Sequence, residues 1–182
     1  DRLELEDGYI LADGRQAISL EELAMESYYS LGNSSVLTAE VSRQVKKNTV
    51  ATGCCFAEVE VDMKLGKIKV LDIVNVHDSG ILLNPQLAAM QVHGGMSMGM
   101  GCGLSEQLLL DEKTGRPLNG TLLDYKLMTT MDTPDLTAEF VELNDPMGPY
   151  GNKALGEPPA IPGAPAIRNA VLHATGIGFA EI

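Results

Sequence analysis

Five glycines fall within one helix-like stretch, Gln86-Leu-Ala-Ala-Met-Gln91-Val-His93-Gly94-Gly95-Met-Ser-Met-Gly99-Met-Gly101-Cys-Gly103. A glycine in a helix interior costs roughly 1 kcal/mol relative to alanine, so this segment keeps its helix only where tertiary packing compensates. What glycine gives in return is close approach, either of another backbone element or of a bulky ligand. The helix has a clear start, because Asn84-Pro85 reads as an N-cap followed by proline at the first helical position. No Gly-x-Gly-x-x-Gly follows a strand here and the Walker pattern is absent, so a nucleotide-binding loop has little support.

The second constraining stretch is Gly151-Asn-Lys153-Ala-Leu-Gly156-Glu157-Pro158-Pro159-Ala160. Glu157 stands between a glycine and two prolines, which fix φ at about -65° and remove two amide donors. Gly148-Pro149-Tyr150-Gly151 breaks regular structure ahead of it, and Pro162-Gly163-Ala164-Pro165 leads into a helix expected over Ala166 to Thr175, closed by Gly176. Glu157 therefore belongs to a stiff loop entering a helix. Spacing alone leaves two readings open: a helix-capping carboxylate, or a general base whose position is settled before a substrate arrives.

Elsewhere the pattern mixes strands and helices without a βαβ rhythm, which predicts an α+β fold, a mixed sheet with packed helices. Leu3 to Leu11 alternates about Asp7-Gly8 and predicts a hairpin, and Ser19-Leu-Glu-Glu22 is a capping box for a helix stopped by Gly32 and Asn33. Strands are expected over Val36 to Val45 and Thr49 to Met63. A turn at Lys64–Lys67 then leads to a strand over Ile68 to His77 that reads as buried on both faces. Gln107 to Asp111 and Thr137 to Leu143 read as further strands, and Leu122 to Met131 is ambiguous.

The chain's 182 residues suit one compact unit over 1–182, and 45% hydrophobic with 21% charged residues argues against disorder. A formal charge of -12, from 13 basic and 25 acidic residues, argues against nucleic acid or an anionic membrane as partner. No apolar run approaches the length of a membrane span, and the acidic start is unlike a signal peptide. Three cysteines, Cys54, Cys55 and Cys102, cannot all pair, and a reducing, cytoplasmic setting is the simpler expectation. His77, His93 and His173 are scattered without ligand spacing, so no protein-ligated metal is expected, and each reads as a satisfied structural histidine. Asp78 reads as a turn or cap residue. Ser97, Ser105 and Cys102 lack the features of activated nucleophiles.

Several motifs occur in a defined order: Phe56-Ala-Glu-Val-Glu-Val-Asp62, Asp72-Ile-Val through Asn84-Pro85, Gln91-Val-His-Gly-Gly-Met-Ser-Met-Gly-Met-Gly101, Leu104-Ser-Glu106, Tyr125-Lys126 and Gly156-Glu157-Pro158-Pro159. Together they resemble the xanthine oxidase family of molybdenum hydroxylases, in particular the C-terminal part of the molybdenum-binding subunits of bacterial xanthine dehydrogenases. The resemblance covers roughly residues 48–176. It implies a molybdenum–molybdopterin cofactor whose metal takes no protein ligand, with iron–sulfur clusters and FAD on other domains or subunits. It further implies Glu157 as the general base toward a molybdenum-bound hydroxyl that attacks an electron-poor carbon of a purine-like heterocycle, as in oxidation of xanthine or hypoxanthine toward urate. Gln91, Gly94, Gly95 and Gly156 are implied cofactor contacts, with Gly99 also letting backbone pack beside the cofactor.

The chain departs from that family in lacking the upstream Gly-Gln-Gly loop, the substrate-orienting region and the redox modules. It is therefore expected to be a piece of a longer subunit, inactive alone, that partners the remainder of the subunit. His93 stands where many relatives have glutamate. A non-catalytic assembly domain that kept the fold is the alternative expectation.

Overall fold

The computed structural model describes residues 2–29, 36–42, 44 and 47–178. Where one unit was expected over residues 1–182, the chain divides into two compact units, Asp1–Gln44 and Val45–Ile182.

The first unit is a three-stranded antiparallel meander, β1 (Leu3–Glu6), β2 (Tyr9–Ala12) and β3 (Arg15–Ser19), followed by helix α1 (Leu20–Tyr29). Both of its turns are Asp-Gly pairs with positive φ at each residue, 47° and 81° at Asp7-Gly8, 50° and 78° at Asp13-Gly14. That is the turn whose twist matches a two-residue hairpin, and glycine reaches it without strain. The capping box forms as expected: Ser19 Oγ accepts from the Glu22 amide at 3.1 Å, and Glu22 Oε2 accepts from the Ser19 amide at 3.1 Å. The expected stop at Gly32 and Asn33 lies outside the described residues. So do Arg43 and Val45 of the expected strand over Val36 to Val45. Its described residues, 36–42 and 44, form no strand; their apolar content favours extended chain, but no ladder takes them up.

The second unit carries a mixed sheet of order β4-β5-β6, with β4 (Thr52–Asp62) antiparallel to β5 (Lys67–Asp78) and β6 (Leu136–Phe140) parallel to β5. Asp62 closes the β4–β5 turn by accepting from the amides of Lys64 and Leu65 at 2.8 and 3.0 Å. One face of this sheet meets helices α2 (Pro85–Leu104) and α3 (Gly163–Thr175), and the core between them is Val70, Ile73, Val92, Met96, Met100, Ile167 and Val171.

A register shift opposite Glu58/Val59 inserts Leu71 into β5, so the core-facing parity switches from Ile68 and Val70 to Ile73, Asn75 and His77. The strand is thus not buried on both faces: Leu71 and Asp72 are exposed, and Val74 and Val76 half-buried, because the helices cover one side only. The expected strand over Gln107 to Asp111 reduces to a single bridge, Leu110 to Pro117. Asn119 does the holding instead, accepting from the Leu109 amide at 2.9 Å and donating to the Gln107 carbonyl at 2.6 Å. Residues 122–131 form turns rather than a helix or strand.

Asn84 caps α2 by accepting from the Leu87 amide at 3.0 Å. Helix α3 starts at Gly163, three residues earlier than expected, because Pro165 fits the first turn, where no intrahelical N–H bond is lost. It ends at Gly176, whose φ of 71° is the left-handed cap. Among the described residues no helix is long and apolar enough to cross a membrane.

Candidate active site

The glycines of α2 divide by direction. A Cβ on Gly95 would lie 2.5 Å from Pro159 Cβ and 2.9 Å from the Pro159 carbonyl carbon. On Gly99 it would lie 2.8 Å from the Ala160 carbonyl oxygen, and on Gly103 3.2 Å from Ala164 Cα. Spaced four apart, these three form one stripe of the helix, and the Glu157 loop and the start of α3 lie directly on it. The close approach expected between a cofactor and Gly95 or Gly99 is therefore taken at both positions by the chain's own backbone, and both are buried. Gly94 differs: it is exposed, with nothing within 4 Å of where its Cβ would be, and the same holds for Gly156.

The loop is fixed at intervals along its length. Tyr150 and Gly151 both have positive φ, 53° and 81°, which turns the chain back so that the Gly151 carbonyl accepts from the amides of Ile81 and Asp145 at 3.0 and 3.1 Å. Lys153 donates its amide to the Ser79 carbonyl at 2.7 Å and its Nζ to Asp78 at 2.6 Å, with the two side chains only 10% and 12% exposed. Gln91 Nε2 donates to the Gly156 carbonyl at 2.8 Å. The Glu157 carbonyl accepts from the Ala160 amide at 3.0 Å, and Asn75 Nδ2 donates to the Pro159 carbonyl at 3.0 Å. Pro159 itself is fully buried. Between these anchors the Glu157 side chain is exposed. An exposed carboxylate on an immobilised backbone is the arrangement a general base needs.

Electrostatics concentrate at the end of β5. The hydrogen bond from Lys153, outweighing the opposing effect of burial, holds the Asp78 carboxyl below its ordinary range. Asp78 also accepts from the Gly80 amide at 3.0 Å, so it is both the turn residue expected and half of an ion pair that spacing did not reveal. His77, 1% exposed, lies over Gly53, and burial lowers its pKa. It is structural in placement, but neither ring nitrogen, nor Asn75 Oδ1 or Ser79 Oγ, meets a partner among the described residues, which corrects the expectation of a satisfied histidine. Ser97 and Cys102 lie on α2 away from any activating pair that is described, and the Ser105 hydroxyl donates to the Lys126 carbonyl at 2.9 Å.

The residues beside Glu157 suit a polar organic cofactor. The exposed Gln91 amide keeps its oxygen and a second N–H beyond the bond to Gly156, while Gly94, one turn along the helix, and Gly156 leave open space beside it, neutral polar groups and room of the kind a pterin's polar edges require. Among the described residues no group of three or more His, Cys, Asp or Glu could hold a metal directly. Asn75 escaped the sequence reading: a polar residue in an apolar strand run was its only signal.

Residues 1–134 match the family model for the molybdopterin cofactor-binding domain. The chain is 50% identical over 162 residues to the putative xanthine dehydrogenase molybdenum-binding subunit XdhA of Escherichia coli (strain K12), an alignment covering 89% of this chain and 22% of that protein. Among solved structures, reconstituted CO dehydrogenase from Oligotropha carboxidovorans superposes with a TM-score of 0.77 at 27% identity, over 96% of this chain and 22% of that one. Quinoline 2-oxidoreductase from Pseudomonas putida 86 gives 0.74 at 27%, over 97% and 24%. The chain thus spans less than a quarter of the length of each. With most of its residues inside the family model and an α+β fold shared with these enzymes, the chain belongs to the molybdopterin cofactor-binding domain family of xanthine dehydrogenase-type molybdenum hydroxylases.

Proposed function

We propose that this chain is the C-terminal part of the molybdenum-binding subunit of a hydroxylase acting on a purine-like heterocycle, and that Glu157 is its general base. The observation that carries the reading is the exposed Glu157 carboxylate on a loop whose neighbouring carbonyls are held by Gln91 and Asn75. When bound, the molybdenum–pterin group supplies the oxygen that is inserted and accepts the two electrons of the oxidation. Glu157 takes up the proton released from that oxygen. Gln91, Gly94 and Gly156 line the side from which the cofactor approaches, while Gly95 and Gly99 act one step back, seating the loop.

The purine-like substrate rests on the 50% identity to the xanthine dehydrogenase subunit. The remainder of the subunit would complete the site, and iron–sulfur and flavin domains or subunits would carry the electrons away, in a cytoplasmic enzyme. Xanthine turnover by the intact, cofactor-loaded protein carrying Glu157→Gln is the test. The expected loss in kcat is about 10²- to 10⁴-fold, with molybdenum and pterin content and folding unchanged. A loss below about tenfold would remove Glu157 from the role of base.

A further inference from the structure

We propose that Asn75 is a positioning residue for Glu157, acting through the Pro159 carbonyl; the inference rests on the reading of Glu157 as the base. Pro158 and Pro159 carry no N–H, so the chain immediately after Glu157 can be tied down only through its carbonyls. The Gly156 carbonyl is held by Gln91 from α2, and the Pro159 carbonyl by Asn75 from β5. The two side-chain amides thus grip the loop on either side of Glu157, from two different elements of the core. Gly95 lies against Pro159 as well, which leaves that residue no room to drift toward α2.

Asn75 is a poor choice for stability alone. It is 0% exposed, it sits in line with Ile73 on the core face of β5, and its Oδ1 has no partner among the described residues. A β-branched apolar residue would suit a buried strand position better and leave no orphaned oxygen. What an apolar residue could not do is reach 84 positions along the chain and hold a proline carbonyl. The retained donor is explained by the loop it fixes rather than by the strand it belongs to.

The test uses the intact, cofactor-loaded protein carrying Asn75→Val, with Asn75→Leu, close to asparagine in shape but with no donor, as the second variant. Hydrogen exchange at the Ala160 amide, which donates to the Glu157 carbonyl, is expected to quicken at least about tenfold, while α3 amides stay within about threefold. With the substrate that the wild-type protein turns over fastest among xanthine, hypoxanthine, nicotinate and a simple aldehyde, kcat is expected to fall on the order of 10- to 100-fold at little changed KM. Unchanged loop exchange, equal quickening across α3, or a kcat within about threefold of wild type would overturn the positioning role. Failure of both variants to fold and take up cofactor would also overturn it, in favour of a purely structural one. A parallel Glu157→Gln variant separates the two readings: if it stays active, the base reading falls and exchange alone judges Asn75; if it is inactive while the Asn75 variants are not, only the positioning role falls.

Discussion

Gly94→Ala and Gly95→Ala make a matched pair at adjacent positions in one helix. Both substitutions gain the same helix propensity, about 1 kcal/mol, so the difference between them isolates packing. At Gly94 the added methyl meets nothing within 4 Å. At Gly95 it would stand 2.5 Å from Pro159 Cβ and 2.9 and 3.0 Å from backbone atoms of Pro159 and Ala160. Carbon pairs rest near 3.5–4.0 Å, so the loop must retreat by roughly 1 Å. It is a proline-stiffened backbone that Asn75 also holds, and overpacking of that kind costs about 1–3 kcal/mol. Thermal unfolding of the two cofactor-free variants should therefore differ by several degrees, with Gly94→Ala the more stable, at about 2–4 °C per kcal/mol for a chain of this size. In the loaded enzyme the order separates by cause: Gly95→Ala should lower kcat by displacing Glu157, whereas Gly94→Ala should lower molybdenum and pterin content. Equal melting temperatures for the two variants would refute the seating of the Glu157 loop on the Gly95–Gly103 stripe.

Two further outcomes follow from the end of β5. Lys153→Met leaves a nearly buried Asp78 unpaired and should cost roughly 2–4 kcal/mol at pH 7, read from urea midpoints. Because the folded-state pKa of Asp78 is lowered, its contribution is present above the unfolded value of about 3.9 and lost as pH falls through the folded value, so the variant and the wild type should converge in acid. Burial likewise lowers the His77 pKa, so its neutral form stabilises the fold above the unfolded value of about 6.5, and that contribution fades as pH drops toward the folded value. His77→Leu should flatten the fall in urea midpoint between about pH 7 and pH 5; an unchanged slope would place the acid sensitivity elsewhere.

Features set within a few residues of chain were legible in the sequence. The Asp7-Gly8 turn, the Ser19–Glu22 box, Asn84 before Pro85 and the Gly176 cap all form as read, because each is a local agreement between backbone dihedrals and a nearby donor or acceptor. The α+β class, the glycine-rich helix and the stiff setting of Glu157 followed from the same kind of information.

Tertiary structure alone decided the rest. Residues 36–42 have the composition of a strand and form none, since a strand exists only where another edge accepts its hydrogen bonds. The extra residue Leu71 reverses the parity of β5 and so turns Asn75 and His77 to the core, an outcome of register rather than propensity. Which glycines meet the protein and which stay open depends on how α2 is rotated against the Pro159–Ala164 backbone. Asn75 to Pro159 and Asp78 to Lys153 each join positions about eighty residues apart, and no local rule of dihedral or spacing encodes a contact that exists only once two elements have packed.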